Sequence, residues 1–352
     1  MTRPIRLRVL RTDRPHWASH SGCHQFLRYL DPAKYRLRLQ VVSDSDADLP
    51  LPTEAARNWV RRRIQRRGMP YYKLSDLAAE IKAIPSCLTG TVDVLHYLDG
   101  EHTAQYLPRL LKRSPVRHTK TLATFHQPPQ LLHELVNRDV AAQLDHVALV
   151  SPVQKTFFEY LPEERVSVLM HGIDVDFYQP ASEPVPETPF RCITVGHWLR
   201  DWSTFRLVAG ALPEVEFHYV TDRDTGLENL SNVRFHRNVD DRSLRSLYQQ
   251  SHLLFLPLTG ATANNTLLEG IACGLPVVAT DLDSIRAYLG EAGILVEGND
   301  AELFANAIGE LQCDRSLRTA LARKSRARAE ELSWRNLTPA YEKLYSRLAA
   351  GA

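Results

Sequence analysis

The chain has 352 residues, of which 44% are hydrophobic and 24% are charged, and its formal net charge is +2. This length accommodates two domains of ordinary size, and the composition is that of a globular protein, which excludes extensive disorder. No run approaches the ~18 apolar residues of a membrane-spanning helix, so we expect no transmembrane segment.

The N-terminal sequence and the cysteines indicate the compartment. Arginines interrupt the apolar positions of MTRPIRLRVLRT, which argues against a secretory signal peptide. The cysteines are scattered, odd in number and without a CxxC pair: Cys23, Cys87, Cys192, Cys273 and Cys313. This pattern argues against a disulfide framework or a zinc cluster, and it favours the reducing cytoplasm.

Short strand-like runs alternate with helical patterns in the first half of the chain. The predicted strands are 5–10, 38–42, 92–98, 120–125, 146–150 and 166–170. Helical patterns lie between several of them, for example after Gly22 and over 131–143. This alternation predicts a parallel sheet that is covered on both faces.

The segment 179–190, QPASEPVPETPF, is proline-rich and aperiodic, which predicts a linker between domains. The strand–helix alternation then restarts. The predicted strands are 191–196, 215–220, 232–236, 252–258, 276–281 and 293–296. We therefore predict two α/β domains in series, 1–178 and 191–334. The remaining segment, 335–352, is predicted to be helical.

Polar residues open the helix predicted within 259–281, TGATANNTLLEGIACGLPVVATD. One side of this helix is apolar: Leu267, Leu268, Ile271 and Ala272. The other side is predicted to face away from that stripe: Asn265, Thr266, Glu269 and Gly270. Gly274 and Pro276 are expected to end the helix.

The N-terminus of this helix suits a phosphate, because first-turn amides and the helix dipole favour an anion there. Asn265 and Glu269 are ~6 Å apart along the axis, about the distance from the phosphates of a nucleotide diphosphate to its ribose hydroxyls. An acid at that position can accept hydrogen bonds from a diol. The alternative is that Asn264 or Asn265 only caps the helix and that Glu269 is solvated.

The stretch LLEGIACGLPVVATD (267–281) resembles the LLEAMACGLPVVATD signature of the retaining glycosyltransferases of family 4. Those enzymes have the GT-B fold, with two Rossmann-like domains facing each other across a cleft. Further segments are similar to other motifs of the family: 146–180, 191–208, 232–258 and 332–348. The resemblance implies that the last helix crosses back to the N-terminal domain, which binds the acceptor.

The resemblance implies a nucleotide-diphosphate sugar as donor, with UDP or GDP as the nucleotide, and a hydroxyl as acceptor. It implies retention of the anomeric configuration, no metal and no further cofactor. The donor site would comprise Gly22, Gly196, His197, Arg200, Val239, Asn264, Asn265, Thr266 and Glu269. The catalytic residues would be His126 beside the transferred sugar, Arg200 at the diphosphate and Glu269 at the ribose.

Three positions depart from the family pattern. Ala261 stands where the family has the first acid of its E-x7-E motif. His197 replaces an arginine, and Arg200 lies in the region of the family lysine, so we assign the phosphate contact to Arg200 and consider a protonated His197 as a second cation. His171 replaces the hinge asparagine. Ala261 and the missing basic pair motivate an alternative, in which a catalytically impaired GT-B subunit binds the donor and regulates or scaffolds a partner.

Two other segments suggest binding sites, one for a metal ion and one for an anionic surface. SDSDAD (43–48) contains the DxD pattern that can ligate Mg²⁺, but a second set of strands after the linker contradicts a single-domain, metal-dependent transferase. The segment 57–73 has six arginines and one lysine without an acid. It predicts attachment to an anionic membrane on the cytosolic face or to a phosphate-bearing acceptor, with a solvated helix as the alternative. We expect no nucleic-acid binding.

Overall fold

The computed structural model describes residues 3–13, 20–44, 51–65, 69–115, 118–227 and 229–351. The chain forms two compact units. The first comprises Met1–Trp17, Cys23–His171 and Leu337–Ala352, and the second comprises Ala18–Gly22 and Gly172–Asn336. The first main boundary thus follows His171, ahead of the predicted linker.

The first unit is built on a six-stranded parallel sheet. Its strands are β1 (Ile5–Asp13), β2 (Tyr35–Ser43), β3 (Val94–Tyr97), β4 (Lys120–Phe125), β5 (His146–Leu149) and β6 (Val166–Val168). They are ordered β2-β1-β3-β4-β5-β6, and every neighbouring pair is parallel. All six predicted strands are confirmed.

Six helices lie between these strands in the described part of the first unit. They are α1 (Glu54–Gln65), α2 (Leu74–Leu88), α3 (Gly100–Thr103), α4 (Leu107–Arg113), α5 (Pro129–Leu135) and α6 (Arg138–Ala141). The segment after Gly22 is a 3-10 helix, Cys23–Tyr29, rather than an α-helix. The pattern over 131–143 is two helices, because Asn137 leaves the helical conformation and caps the amides of Asp139 and Val140.

The second unit contains another six-stranded parallel sheet. Its strands are β7 (Phe190–Val195), β8 (Val215–Val220), β9 (Val233–His236), β10 (Leu253–Leu256), β11 (Val277–Thr280) and β12 (Gly293–Val296). They are ordered β12-β11-β10-β7-β8-β9, which is the Rossmann order. The direction of winding reverses between β7 and β10, and ligands bind such sheets at the carboxyl ends of the two strands that flank the reversal.

Seven helices follow β7 in the described chain. They are α7 (Trp202–Ala211), α8 (Asp241–Gln249), α9 (Asn265–Ala272), α10 (Asp283–Leu289), α11 (Ala301–Cys313), α12 (Arg315–Glu331) and α13 (Trp334–Ala350). Aromatic and aliphatic side chains of α7 and α11, such as Phe205 and Phe304, fill the core on one face of the sheet with Phe217 and Phe255. None of the helices in the described ranges has the length and hydropathy of a bilayer span.

The last helix, α13, ends in the first unit, as predicted, because Leu337–Ala352 groups with that unit. Tyr341 stacks on Phe26 with ring centroids 4.2 Å apart. The Tyr345 hydroxyl lies 2.7 Å from Nδ1 of His96, and Thr124 Oγ1 lies 2.7 Å from Nε2 of the same ring. His96 is therefore a fully bonded core residue.

Candidate functional site

The loop after β7 lies where the strand order of the second sheet reverses. Gly196 has a φ of +82°, a left-handed conformation that glycine adopts without strain, and its amide donates to the Val220 carbonyl at 2.9 Å. Leu199 also has a positive φ, of 54°. The chain thereby turns back on itself, and the Arg200 guanidinium donates to the Val195 carbonyl from Nε at 3.1 Å and from Nη2 at 2.7 Å.

All the hydrogen-bond acceptors of Arg200 in the described chain are neutral. Besides Val195, Nη1 donates to the Trp198 carbonyl at 3.0 Å and Nη2 donates to Thr266 Oγ1 at 3.1 Å. Burial lowers the pKa of Arg200, because a low-dielectric site disfavours its charge. A partly buried cation whose hydrogen-bond acceptors in the described chain are all neutral is an electrostatic complement for an anion.

The N-terminus of α9 lies beside this guanidinium. Asn264 caps the helix by accepting from the Leu267 amide at 3.2 Å, so capping is its role in this structure. The amides of Asn265 and Thr266 belong to the first turn, where no intrahelical acceptor exists. Thr266 Oγ1 also donates to the Val195 carbonyl at 3.2 Å, which ties the helix to β7. Arg200 and the first turn of α9 together form an anion-binding geometry.

The polar side of α9 is buried, so the expectation of an exposed polar face is wrong. Thr266 is 6% exposed and Glu269 is 4% exposed. The interpretation of Glu269 as a solvated residue is also wrong. A Cβ on Gly270 would lie 2.6 Å from Leu254 Cδ2, so Gly270 packs against β10 rather than facing away from the core. The leucine stripe is only one of the two buried sides of this helix.

Three hydroxyl groups surround the Glu269 carboxylate. The Tyr248 hydroxyl donates to Oε2 at 2.8 Å, and Ser21 Oγ donates to Oε1. The Tyr178 hydroxyl lies 3.3 Å from Ser21 Oγ. Burial raises the pKa of Glu269 to about 7, although the hydrogen bonds from Ser21 and Tyr248 favour the charged form. No local sequence pattern predicts this cluster, because its members are far apart in the chain.

The raised pKa predicts a pH-dependent stability. Because the folded pKa lies above the ~4.3 of an unfolded glutamate, the native state binds the proton more tightly, and stability falls as pH rises from about 4 to about 7. Between about pH 5 and pH 8, wild type should lose ~1–3 kcal/mol more unfolding free energy than Glu269→Gln. Urea denaturation at both pH values measures this difference, and parallel profiles for the two proteins would contradict it.

The other predicted donor-site residues lie in three different loops. His197 is exposed beside Gly196, and burial, Arg223 and Arg200 lower its pKa, which disfavours its role as a second cation. Gly22 has a φ of +97° in the turn after Ser21. Val239 lies after β9, and the loop of Arg200 follows β7, with β8 between the two strands.

His126 follows β4 in the first unit. Its Nε2 lies 2.6 Å from the Leu98 carbonyl, and its backbone amide donates to the Glu101 carboxylate. Burial alone would lower the pKa of His126, but the Cys23 sulfur, Glu101 and Asp99 outweigh burial and raise it to about 10. Because a carbonyl oxygen can only accept, Nε2 of His126 carries a hydrogen and donates to Leu98. The two acids in LDGEHT (98–103) follow β3 directly. Acids at a strand end are a sequence signal for the cluster around His126, but they belong to none of the motifs used in the prediction.

The described ranges hold no group of three or more histidine, cysteine, aspartate or glutamate residues that is arranged to bind a metal ion. Residues 45–48 of the DxD segment lie outside the described residues. Asp44 pairs with Lys73.

About a third of the chain is similar in sequence to known proteins. Residues 199–314 match the family model Glycosyl transferases group 1. D-inositol 3-phosphate glycosyltransferase of Corynebacterium urealyticum is 33% identical over 118 residues, which are 33% of this chain and 28% of that protein. O-antigen chain mannosyltransferase B of Escherichia coli is 28% identical over 106 residues, or 30% of this chain and 28% of that protein. The chain thus matches less than a third of the length of these relatives.

Solved structures are similar over nearly the whole chain. Sucrose-phosphate synthase from Thermosynechococcus elongatus has a TM-score of 0.75 at 15% identity, with 99% of this chain and 100% of that chain covered. Anabaena HepE, in complex with UDP and glucose, has a TM-score of 0.67 at 14% identity, with 97% and 99% covered. The chain has the GT-B fold. Residues 199–314 are similar to the glycosyl transferases group 1.

Proposed function

We propose that the protein is a retaining glycosyltransferase of family 4, which transfers a sugar from a nucleotide-diphosphate sugar to an acceptor hydroxyl. The observation that carries this proposal is the Arg200 guanidinium, whose hydrogen-bond acceptors among the described residues are all neutral and which lies beside the first turn of α9. The family match and the UDP and glucose bound to the similar HepE support a nucleotide-sugar donor.

In the proposed reaction, the bond between the anomeric carbon and the diphosphate breaks, the acceptor oxygen bonds to that carbon, and the acceptor hydroxyl gives its proton to the departing diphosphate. Negative charge grows on the departing diphosphate. Arg200 and the amides of Asn265 and Thr266 stabilise it, so in this proposal no metal ion is required. Glu269 accepts hydrogen bonds from the ribose diol, for which the ribose competes with the Ser21 hydroxyl. His126 contacts the transferred sugar, as the family resemblance implies.

A catalytically impaired donor-binding subunit is the second candidate. Ala261 favours it, because the family has an acid at this position and the alanine cannot hold a sugar hydroxyl. In the enzyme proposal, Asn264 and the neighbouring amides take over that contact. Both candidate functions include donor binding, but only the enzyme transfers the sugar and releases the nucleotide.

A panel of UDP- and GDP-sugars separates the candidates. A donor that binds the native state raises the unfolding temperature, and the preferred donor should raise it most. Nucleotide release from that donor is then measured with and without acceptors from a cell extract. Release above background supports the enzyme. Binding without release supports the scaffold, and absence of binding to the whole panel overturns both.

The acceptor is proposed to be presented at an anionic surface, on the cytosolic face of a membrane, through α1. In this helix Val60 packs on the core and Ile64 is 5% exposed, while Trp59 is 61% exposed. Arg62 and Arg63 are exposed on the same side as Trp59, which suits the boundary between lipid headgroups and water. Arg66 and Arg67 of the predicted basic segment lie outside the described residues.

A fourfold glutamine variant of Arg57, Arg61, Arg62 and Arg63 should lose co-sedimentation with phosphatidylserine vesicles. At ~1 kcal/mol per basic residue near such a surface, four substitutions reduce binding by on the order of 10³-fold. The matched control replaces four exposed arginines elsewhere in the first unit: Arg36, Arg38, Arg109 and Arg113. Equal loss in both variants, or no binding by wild type at low salt, would contradict a membrane-binding role of α1.

A further inference from the structure

Asn299 has an unusual backbone conformation, and both the nitrogen and the oxygen of its side-chain amide are hydrogen-bonded. It precedes α11 and has a φ of 56°, in the left-handed region that asparagine tolerates better than most residues. Its Nδ2 donates to Asp201 Oδ2 at 3.0 Å and to the Leu258 carbonyl at 2.9 Å. Its Oδ1 accepts from Thr280 Oγ1. The amide thus makes two donor contacts and one acceptor contact at once.

These bonds join the carboxyl ends of four parallel strands. Asp201 follows β7, Leu258 follows β10, Thr280 ends β11 and Asn299 follows β12. The network closes on itself, because the Leu258 amide donates to Thr280 Oγ1 at 2.6 Å. Thr204 Oγ1 lies 2.9 Å from Asp201 Oδ2 and 3.1 Å from the Asn299 carbonyl oxygen, so its single hydrogen is shared between these two acceptors. Only an amide side chain supplies donors to a carboxylate and a carbonyl while accepting from a hydroxyl.

The two groups that Nδ2 contacts flank Arg200. Asp201 is its chain neighbour, and Leu258 forms an isolated antiparallel bridge with Arg200 itself. The Asp201 amide donates to the Pro257 carbonyl at 2.9 Å, and the Thr259 amide donates to the Leu199 carbonyl at 3.0 Å. The two loops around Arg200 are therefore paired, and Asn299 connects them to β11 and β12.

We propose that Asn299 is a positioning residue for Arg200. It fixes the 199–201 loop against the 257–259 loop, and so it holds the guanidinium at the site where the diphosphate departs, without contacting the donor. This inference rests on the proposed glycosyl transfer. Removal of the amide leaves the Asp201 carboxylate and the Leu258 carbonyl each without one partner, and the paired loops can then shift.

The test compares three variants in steady-state nucleotide release from the preferred donor. Asn299→Gly keeps the left-handed backbone accessible and removes only the side-chain contacts. It should lower kcat by ~10- to 100-fold with a much smaller change in KM, since a displacement near 1 Å can cost on the order of 100-fold. Asn299→Asp keeps the acceptor but loses both donors and faces Asp201, so it should not restore kcat.

Asn232→Ala is the matched control at the amino edge of the same sheet. Asn232 Nδ2 donates to the carbonyls of Ala209, Leu212 and Val215 at 2.9, 3.0 and 3.1 Å, so its loss removes a comparable set of contacts. The control should lower the unfolding midpoint in urea similarly and leave kcat within about 2-fold, because distant sites act independently.

Two different failures can be told apart. If Asn299→Gly and Asn232→Ala have the same kcat, or if Asn299→Asp matches wild type, the positioning role is overturned while the proposed function stands. If wild type releases no nucleotide from any donor, the proposed function is overturned, and the role of Asn299 in it falls as well.

Discussion

Arg200→Ala is expected to lower turnover by on the order of 10²–10³-fold, as the loss of one preorganised charge-stabilising donor does at other active sites. The charge on the diphosphate is larger in the transition state than in the bound donor. The substitution should therefore reduce kcat more than it weakens donor binding. Steady-state nucleotide release gives kcat, and calorimetric titration with the donor gives the affinity.

The matched control for Arg200 is Arg206→Ala. Arg206 lies on α7 of the same unit, and its guanidinium donates to the Gly226 carbonyl rather than to a group around α9. Its removal takes away the same charge and should leave kcat unchanged. If wild type and Arg200→Ala both bind donor and neither releases nucleotide, the chain is a donor-binding subunit rather than an enzyme.

The strands were predictable because each carries its signal locally. In parallel sheets that are covered on both faces, strands are short apolar runs between turn residues, as in VVAT (277–280) and LLFL (253–256). All twelve strands of the described chain overlap predicted strands, although β1, β2, β8 and β9 also contain charged residues. The helices were harder to predict. Whether the stretch after Gly22 becomes a 3-10 helix or an α-helix depends on packing, for example of Phe26 against Tyr341 at the far end of the sequence.

The residue types of the candidate site could be predicted from the sequence, but the burial of their side chains could not. The position of Arg200 beside Thr266 follows from a motif at each of two neighbouring strand ends, which the Rossmann order brings together. The environment of Glu269 depends on Ser21 and Tyr248, and helical periodicity carries no information about residues so distant in sequence. The role of Asn299 could not be predicted for the same reason, because its partners lie at the ends of three other strands.

Glu269→Gln is expected to weaken donor binding by ~1–3 kcal/mol, the cost of losing a charge-assisted hydrogen bond to the ribose. The fold should persist even though the side chain is buried. The glutamine amide can accept from one of the two hydroxyls, those of Ser21 and Tyr248, through its oxygen and donate to the other through its nitrogen. Glu214→Gln, an exposed acid of the same unit, is the control and should bind donor like wild type.

A double-mutant cycle tests whether Glu269 itself contacts the ribose. Wild type should bind the 2′-deoxy nucleotide more weakly than the ribonucleotide, because one hydroxyl donor to the carboxylate is missing. Glu269→Gln should discriminate less between the two nucleotides, since the charge that strengthens this bond is gone, and the difference is the coupling energy of the contact. Calorimetric titration measures all four affinities. If Glu269→Gln and wild type discriminate equally, the carboxylate has no contact with the 2′-hydroxyl, and its hydrogen bonds with Ser21 and Tyr248 serve the structure of α9 alone.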